Sequence, residues 1–429
     1  MSADFASPAP APLVARTRAI PDPGDLLSYL PTPDAAGALA WVRRGKGLIG
    51  IGETLRITTS GRGRFAEADA AFAELAARAV IRDDVDRPGT GPLAFGSFAF
   101  SGASPAGGVL IVPKVILGRD DEGAWLTTIS AGGLTPLPAP ADLLRDVEAE
   151  LPEVSVEFSS GSLGRAEWLR QVDQVMGRIR AGEAGKVVLA RDAIADLSGP
   201  GDARRVLRAL SEEYASCWAF AVDGFFGATP ELLARRQRGL ISSRVLAGTI
   251  QRSGDGDVDA SRAAALARDS KELSEHAYAV DSLVDSLRPF AASFSVPEAP
   301  FILHLPNVMH LATDVTAVPT PEAAGASSLA LAAQFHPTAA VCGTPTPVAA
   351  EILHEHENFD RHRYAGPVGW VGADGDGEWG IALRSGRAIS ASQWQIFAGC
   401  GIMADSRPEA EWAETEAKFA PMRSALARA

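Results

Sequence analysis

In a chain of 429 residues that carries 42 glycines and 29 prolines, the stretch 258–287 carries neither. A run that long and that free of breakers reads as helix, since strands stay short. On both sides of it lie short apolar runs separated by turns. The runs 93–100, 109–117, 186–191, 366–371, 379–384 and 394–399 read as strands, with 374–377 (Asp-Gly-Asp-Gly) as a hairpin-type turn. Further helices are expected at 65–80, which is rich in alanine, and at 408–428, broken only by Pro421. In 165–180, Trp168, Val172, Val175, Met176 and Ile179 fall on one helical face. Strands and helices alternate without an internal repeat, so the expected class is α/β or α+β.

Residues 1–24 are dominated by Pro and Ala and read as a loosely held segment. The rest, 25–429, reads as one large domain. The clearest linker-like stretch is 159–164 (SSGSLG), short enough to be a surface loop between halves of that domain.

Hydrophobic residues make up 46% and charged residues 22%, the balance of a soluble globular protein. The formal net charge of −13 repels nucleic acid and anionic membranes, so neither is an expected partner. It also repels an anionic substrate, which would need local positive charge or a metal. Cys217, Cys342 and Cys400 are odd in number and show no metal-ligand spacing. With no basic n-region at the start and no apolar run long enough to span a bilayer, a reducing cytoplasm is expected.

Four constellations could carry chemistry. Glu272 and Glu275 are three apart on one expected helix, and Glu411 and Glu414 on another. Each pair shares a helix face, and two such faces opposed would suit Mg²⁺. Spacing alone favours two solvated faces, since charged pairs three apart are common on helix surfaces. Lys186 opens the apolar run Val187-Val188-Leu189, where desolvation could make it a base; an ordinary flanking charge looks the same. In Gly227-Ala228-Thr229-Pro230-Glu231-Leu232, Thr229 can cap a helix with Pro230 in its first turn, so Glu231 is expected near a helix N-terminus. An ordinary first-turn glutamate would fit as well. Leu246-Ala247-Gly248-Thr249 and Gly399-Cys400-Gly401-Ile402 are glycine turns that could admit an anion to backbone amides.

Other signals fail their context. Gly45-Lys46-Gly47-Leu48-Ile49-Gly50 has the spacing of a dinucleotide fingerprint, but Ile51-Gly52-Glu53 follows instead of a helix. His354 and His356 are two apart and would not share a helix face, so 354–357 is not read as a metal site. No GxSxG motif occurs, and no cysteine sits in a nucleophile motif.

Taken in order, KVVLAR (186–191), GATPELL (227–233), LAGT (246–249), KELSEH (271–276), HLAT (310–313), HPTAAVCG (336–343), FDRHRYAGPVGW (359–370), IALRSG (381–386), AGCGI (398–402) and EWAET (411–415) resemble the motifs of the chorismate-binding enzyme family. The resemblance covers 165–429 at motif level. Residues 50–53 and 95–100 resemble the earlier part of the isochorismate-forming members. The resemblance implies one large fold in which two β-sheet substructures flanked by helices face each other, with the active site between them.

It also implies roles. Glu275 and Glu414 match metal ligands, with Glu272 and Glu411 as nearby or water-mediated partners, and Mg²⁺ holding the ring carboxylate of chorismate. Arg384 matches the residue that grips the enolpyruvyl carboxylate, helped by Tyr364 and amides around Gly399 and Gly401. Gly248 and Thr249 match a loop near the ring carboxylate. His310 and Lys418 match site positions with no assigned role. The implied reaction is attack of water on C2, a shift of the double bonds and loss of the C4 hydroxyl. Lys186 would be the base, in apolar surroundings with no carboxylate in contact, and Glu231 the acid. No cofactor beyond Mg²⁺ is expected.

Lysine at 186 resembles the members that use water, where ammonia-using members carry another residue. Ala247 differs from the nucleophilic lysine of the aminodeoxychorismate type, and no glutaminase segment or partner is expected. Ala340 stands where members that also eliminate pyruvate typically carry threonine, so isochorismate is the expected product and salicylate the alternative. A non-catalytic chorismate-binding protein would be expected to lack Lys186, Glu231 or a metal glutamate. A glycosidase would explain neither the glycine turns nor EWAET. A monomer is expected. The isochorismate could feed menaquinone or a catechol siderophore.

Overall fold

The computed structural model describes residues 11–428. Among these, the strands form a 13-stranded and a 10-stranded sheet. Neighbouring strands are antiparallel except Leu13–Ile20 and Val80–Asp83, which run parallel. The class is therefore α+β, the second of the two forms expected. One buried apolar cluster joins the sheets face to face: it takes Trp41, Phe220 and Phe397 from the larger and Phe95, Trp370 and Trp379 from the smaller. A second cluster packs helices Arg165–Arg180 and Thr346–His356 on strand Lys186–Leu197, through Trp168, Met176, Leu189 and Ile352.

Four of the passages between the sheets are corners of two or three residues, and two of these place the site. The four lie between Lys46–Ile51 and Leu55–Thr59, between Gly108–Val112 and Val115–Arg119, between Phe225–Thr229 and Leu232–Gln237, and between Gly377–Ile381 and Ser385–Ser390. The second corner splits the single strand expected at 109–117. Pro113 has no N–H to continue a ladder, so the run turns there and its halves join different sheets.

Other expectations are also corrected. Of the segment 1–24, residues 1–10 lie outside the described residues, but Leu13–Ile20 is a strand of the larger sheet, paired with Ala124–Ala131. Its alternation buries Leu13, Ala15 and Thr17, a pattern masked by the preceding prolines. The linker-like 159–164 is anchored. Val156–Ser160 pairs with Lys186–Leu197, and the Asp192 carboxylate accepts from Ser162 N at 2.8 Å and Ser162 Oγ at 3.0 Å. The stretch 258–287 is two helices, Gly256–Leu266 and Ser270–Leu287. Asp269 begins the second, its carboxylate accepting from Glu272 N at 3.0 Å, a capping signal that needs no glycine or proline. The closing helix Pro408–Leu426 continues through Pro421. A proline there leaves the Ala417 carbonyl without its usual helical donor. Asn307 Nδ2 reaches it at 3.5 Å.

Candidate active site

Two of the corners lie side by side. Gly227 pairs with Ser385 and Leu232 with Gly380. Between those rungs Ala228 N donates to Arg384 O at 3.1 Å, Ile381 N to Glu231 O at 3.2 Å, and Thr229 Oγ1 to Ile381 O at 2.5 Å. Glu231 is therefore in a strand-to-strand corner, not at the helix N-terminus expected from Thr229 and Pro230. Thr229 does bond the Glu231 amide at 3.2 Å, as a cap would, but the neighbouring strand claims the backbone. Arg384 sits in the adjoining corner with φ of 46°, a left-handed conformation that costs a non-glycine residue about 1 kcal/mol or more.

Glu231 is 6% exposed, and its carboxylate has no hydrogen-bond partner among the described residues. Burial pushes its pKa up to about 8, against the opposing pull of Lys186 and Arg384.

Lys186 starts strand Lys186–Leu197, between Gly343–Thr344 on one side and Gln393–Ile402 on the other. Burial lowers its pKa, partly offset by Glu275, Glu414 and Glu231 and reinforced by Lys418. No carboxylate ion-pairs with it among the described residues. Gly401 gives it room: a Cβ there would lie 2.4 Å from Lys186 Cε. The stretch 399–402, expected as a turn, is instead the end of strand Gln393–Ile402, paired rung by rung with Lys186–Leu197. Its other glycine, Gly399, lets the Tyr364 hydroxyl come close, since a Cβ would lie 3.2 Å from it. Tyr364 stacks on Phe397 with ring centroids 5.4 Å apart, and burial pushes its hydroxyl up to about 12, so it stays a donor. The Gly399 carbonyl accepts from Lys418 Nζ at 2.9 Å.

On the smaller sheet, Gly248 is the extra residue of a bulge between Leu240–Gln251 and Val308–Pro319, with φ of 82°. Glu272 stands beside it; a Cβ on Gly248 would lie 3.1 Å from its Oε2. His276 clamps the glutamate-bearing helix to the bulge. Its Nδ1 lies 3.1 Å from Ala247 O and its Nε2 2.7 Å from Thr313 Oγ1. A carbonyl can only accept, so Nδ1 carries the proton and Nε2 accepts from the threonine. Thr249 Oγ1 meets His310 Nδ1 at 2.8 Å. Burial, Arg384 and Lys418 push His310 down to about 3, so it is neutral, and its buried Nε2 lacks a partner among the described residues.

The remaining carboxylates lie on the closing helix. Glu414 pairs with Lys418 at 2.6 Å, and Glu411 accepts from Ser406 Oγ at 2.6 Å. Burial raises the Glu411 pKa, and the charge of Glu414 adds to it. Among the described residues no three His, Cys, Asp or Glu side chains gather into a metal-binding group. Ala340 is half-buried in the loop between Ser328–Phe335 and Gly343–Thr344.

The order of the motifs did not indicate how that loop is held. Arg361, 3% exposed, bonds Glu357 through Nε at 2.6 Å and NH2 at 2.8 Å, Val188 O at 2.6 Å and Val341 O at 2.9 Å. Glu357 Oε1 also accepts from Ala190 N at 2.7 Å. This pair ties the strand of Lys186 to the loop of Ala340. Arg178 bonds Glu355 and His356 in a group nearby.

A lysine whose pKa burial lowers, a glutamate whose pKa burial raises and the side chains of Arg384 and Lys418, set beside glycines of three strand segments, make a candidate acid–base site for a small anionic substrate. The sequence pattern described as chorismate binding enzyme matches residues 40–427. The chain belongs to the chorismate-binding enzyme family. It is 31% identical over 356 residues to isochorismate synthase MenF of Bacillus subtilis, covering 78% of this chain and 75% of that one. It is 36% identical over 279 residues to the salicylate biosynthesis isochorismate synthase of Pseudomonas aeruginosa, covering 64% and 58%. Its fold matches the solved menaquinone-specific isochorismate synthase MenF of Escherichia coli with a TM-score of 0.80 and 25% identity, over 98% of this chain and 96% of that one. No helix among the described residues is long and apolar enough to cross a membrane.

Proposed function

We propose that the chain is an isochorismate synthase that interconverts chorismate and isochorismate. The observation that carries this is the paired perturbation of two groups: burial lowers the pKa of Lys186 while raising that of Glu231 to about 8. Such opposed shifts move one group toward a base and the other toward an acid. Lys186 removes a proton from the water that attacks C2. The ring double bonds shift, and Glu231 protonates the departing C4 hydroxyl. One water enters and one leaves, so product and substrate are isomers. Arg384 presents its fork to the enolpyruvyl carboxylate, and Tyr364 with the amides around Gly399 and Gly401 completes that grip. Gly248 and Thr249 admit the ring carboxylate, beside the neutral His310.

Glu275 and Glu414 would hold Mg²⁺, with Glu272 and Glu411 beside them. The donor set fits a hard cation, and the charge of Glu414 raising Glu411 is a repulsion that a cation would relieve. Bound Mg²⁺ would neutralise the ring carboxylate. Ala340 in the loop tied to the Lys186 strand supports isochorismate over salicylate as the product. The protein would act in the cytoplasm as a monomer without a glutaminase partner; its three cysteines are free thiols.

The test is chromatography with mass detection of chorismate incubated with the protein, with Mg²⁺ or EDTA, beside Lys186→Ala. An Mg²⁺-dependent isomer of chorismate, missing from the variant, is expected. Salicylate and pyruvate as main products would move the protein to the neighbouring activity.

A further inference from the structure

Arg191 ends the motif that Lys186 begins, yet the reaction as derived gives it no task. It lies five residues along the same strand, so alternation turns it to the opposite face. There it is 4% exposed and meets the closing helix at four positions. Its guanidinium carbon sits 3.5 Å from the centre of the Trp412 ring and 4.7 Å from that of Phe419. Its Nε donates to Thr415 Oγ1 at 2.7 Å, and its NH2 to Glu416. Glu416 is held from its other side by Arg423 at 2.6 Å. Residues 412, 415, 416 and 419 form one complete helical stripe. Glu411, Glu414 and Lys418 form the stripe one residue earlier, turned from it by about 100°.

We propose that Arg191 is a positioning residue that sets the rotation of the closing helix, and so aims Glu411 and Glu414 toward the cation and Lys418 toward Gly399. The proposal rests on the Mg²⁺ reading given above for the two glutamates. A planar fork stacked on one ring and bonded to two side chains resists rotation of the helix about its axis, which apolar packing alone would allow. Because Lys186 and Arg191 share one strand, the base and the glutamates are held in a single frame. Lysine keeps the charge but loses the fork and the stacking.

The test is calorimetric titration of Mg²⁺ into the full-length wild type and Arg191→Lys, with melting curves of both. Loss of a partner that orients ligands typically weakens metal affinity by about 10-fold to 100-fold. Arg191→Lys is expected to bind Mg²⁺ at least about 10-fold more weakly than wild type, at a temperature where both are folded. Thr415→Val, which removes the acceptor of Nε together with the hydroxyl's bond to Trp412 O, is expected to show a smaller loss in the same direction, and it carries the test if Arg191→Lys does not fold. Wild-type Mg²⁺ affinity in the folded variants would overturn the inference while leaving the function untouched. A wild type that binds no Mg²⁺ would instead refute the metal reading, and the inference with it.

Discussion

The side chain of Lys186 lies across Gly401 so closely that a single methyl group there would meet Lys186 Cε at 2.4 Å and Nζ at 3.2 Å. What such a methyl displaces is the flexible end of a side chain, so the fold tolerates it while the base does not. Gly401→Ala is expected to lower kcat by about 100-fold, the usual scale for misplacing a reacting group by an ångström. Its melting temperature is expected to stay within a few degrees of wild type. Steady-state kinetics beside a melting curve decide it; an active Gly401→Ala would mean that Lys186 is not positioned by this contact.

The rate should follow a bell in pH. Lys186 must be neutral, so activity rises with pH toward its lowered pKa. Glu231 must carry its proton, so activity falls as pH passes about 8. Glu231→Gln is expected to lose about 100-fold to 10,000-fold in kcat, with no falling limb near pH 8 in the remaining rate. A profile of kcat against pH for both proteins checks this, and a falling limb that persists in the variant would assign it to another group.

The same glutamate affects stability. Its pKa is raised on folding from 4.5 to about 8, so the folded state holds a proton that the unfolded state has released between those values. Stability is then lost as pH rises through that window, by at most roughly 1.4 kcal/mol per pH unit. Glu231→Gln should flatten that slope. Urea unfolding at several pH values compares the two proteins, and equal slopes would show that Glu231 titrates normally.

Glu357 and Arg361 are both nearly inaccessible and satisfy each other along with three backbone groups. Arg361→Met leaves a buried carboxylate unpaired and should cost about 3–5 kcal/mol of stability. Replacing both residues with apolar ones should cost less than that. Denaturant unfolding of the single and double variants provides the comparison, and a harmless Arg361→Met would mean that the pair is hydrated in solution.

How much of this was legible in the chain depended on how local each signal is. The run Val187-Val188-Leu189 marked its strand because β-branched and aliphatic residues carry that preference themselves. Thr229-Pro230-Glu231 misled, because threonine before proline serves a helix cap and a corner between sheets equally well, and only the pairing with Ile381 decides between them. Pro113 gave a local reason to split 109–117, but its two destinations in separate sheets did not show. Lys186 and Glu231 stood out as candidates from their local sequence, and Arg384 through the resemblance. Their arrangement depends on which strands lie side by side, and that is set by long-range packing. His276, Glu357, Arg361 and Arg191 were visible as letters in motifs or beside them, but not as clamps, since each acts through residues far away in sequence.

In the proposed reaction water, activated by Lys186, displaces the C4 hydroxyl by attacking C2. Turnover of chorismate in water enriched in heavy oxygen tests it most directly, with the isochorismate read by mass spectrometry. One solvent oxygen is expected in the product, bonded at C2, and no such product from Lys186→Ala. Isochorismate without solvent oxygen at C2 would mean that the hydroxyl migrates within the substrate, and the roles given to Lys186 and Glu231 would be wrong.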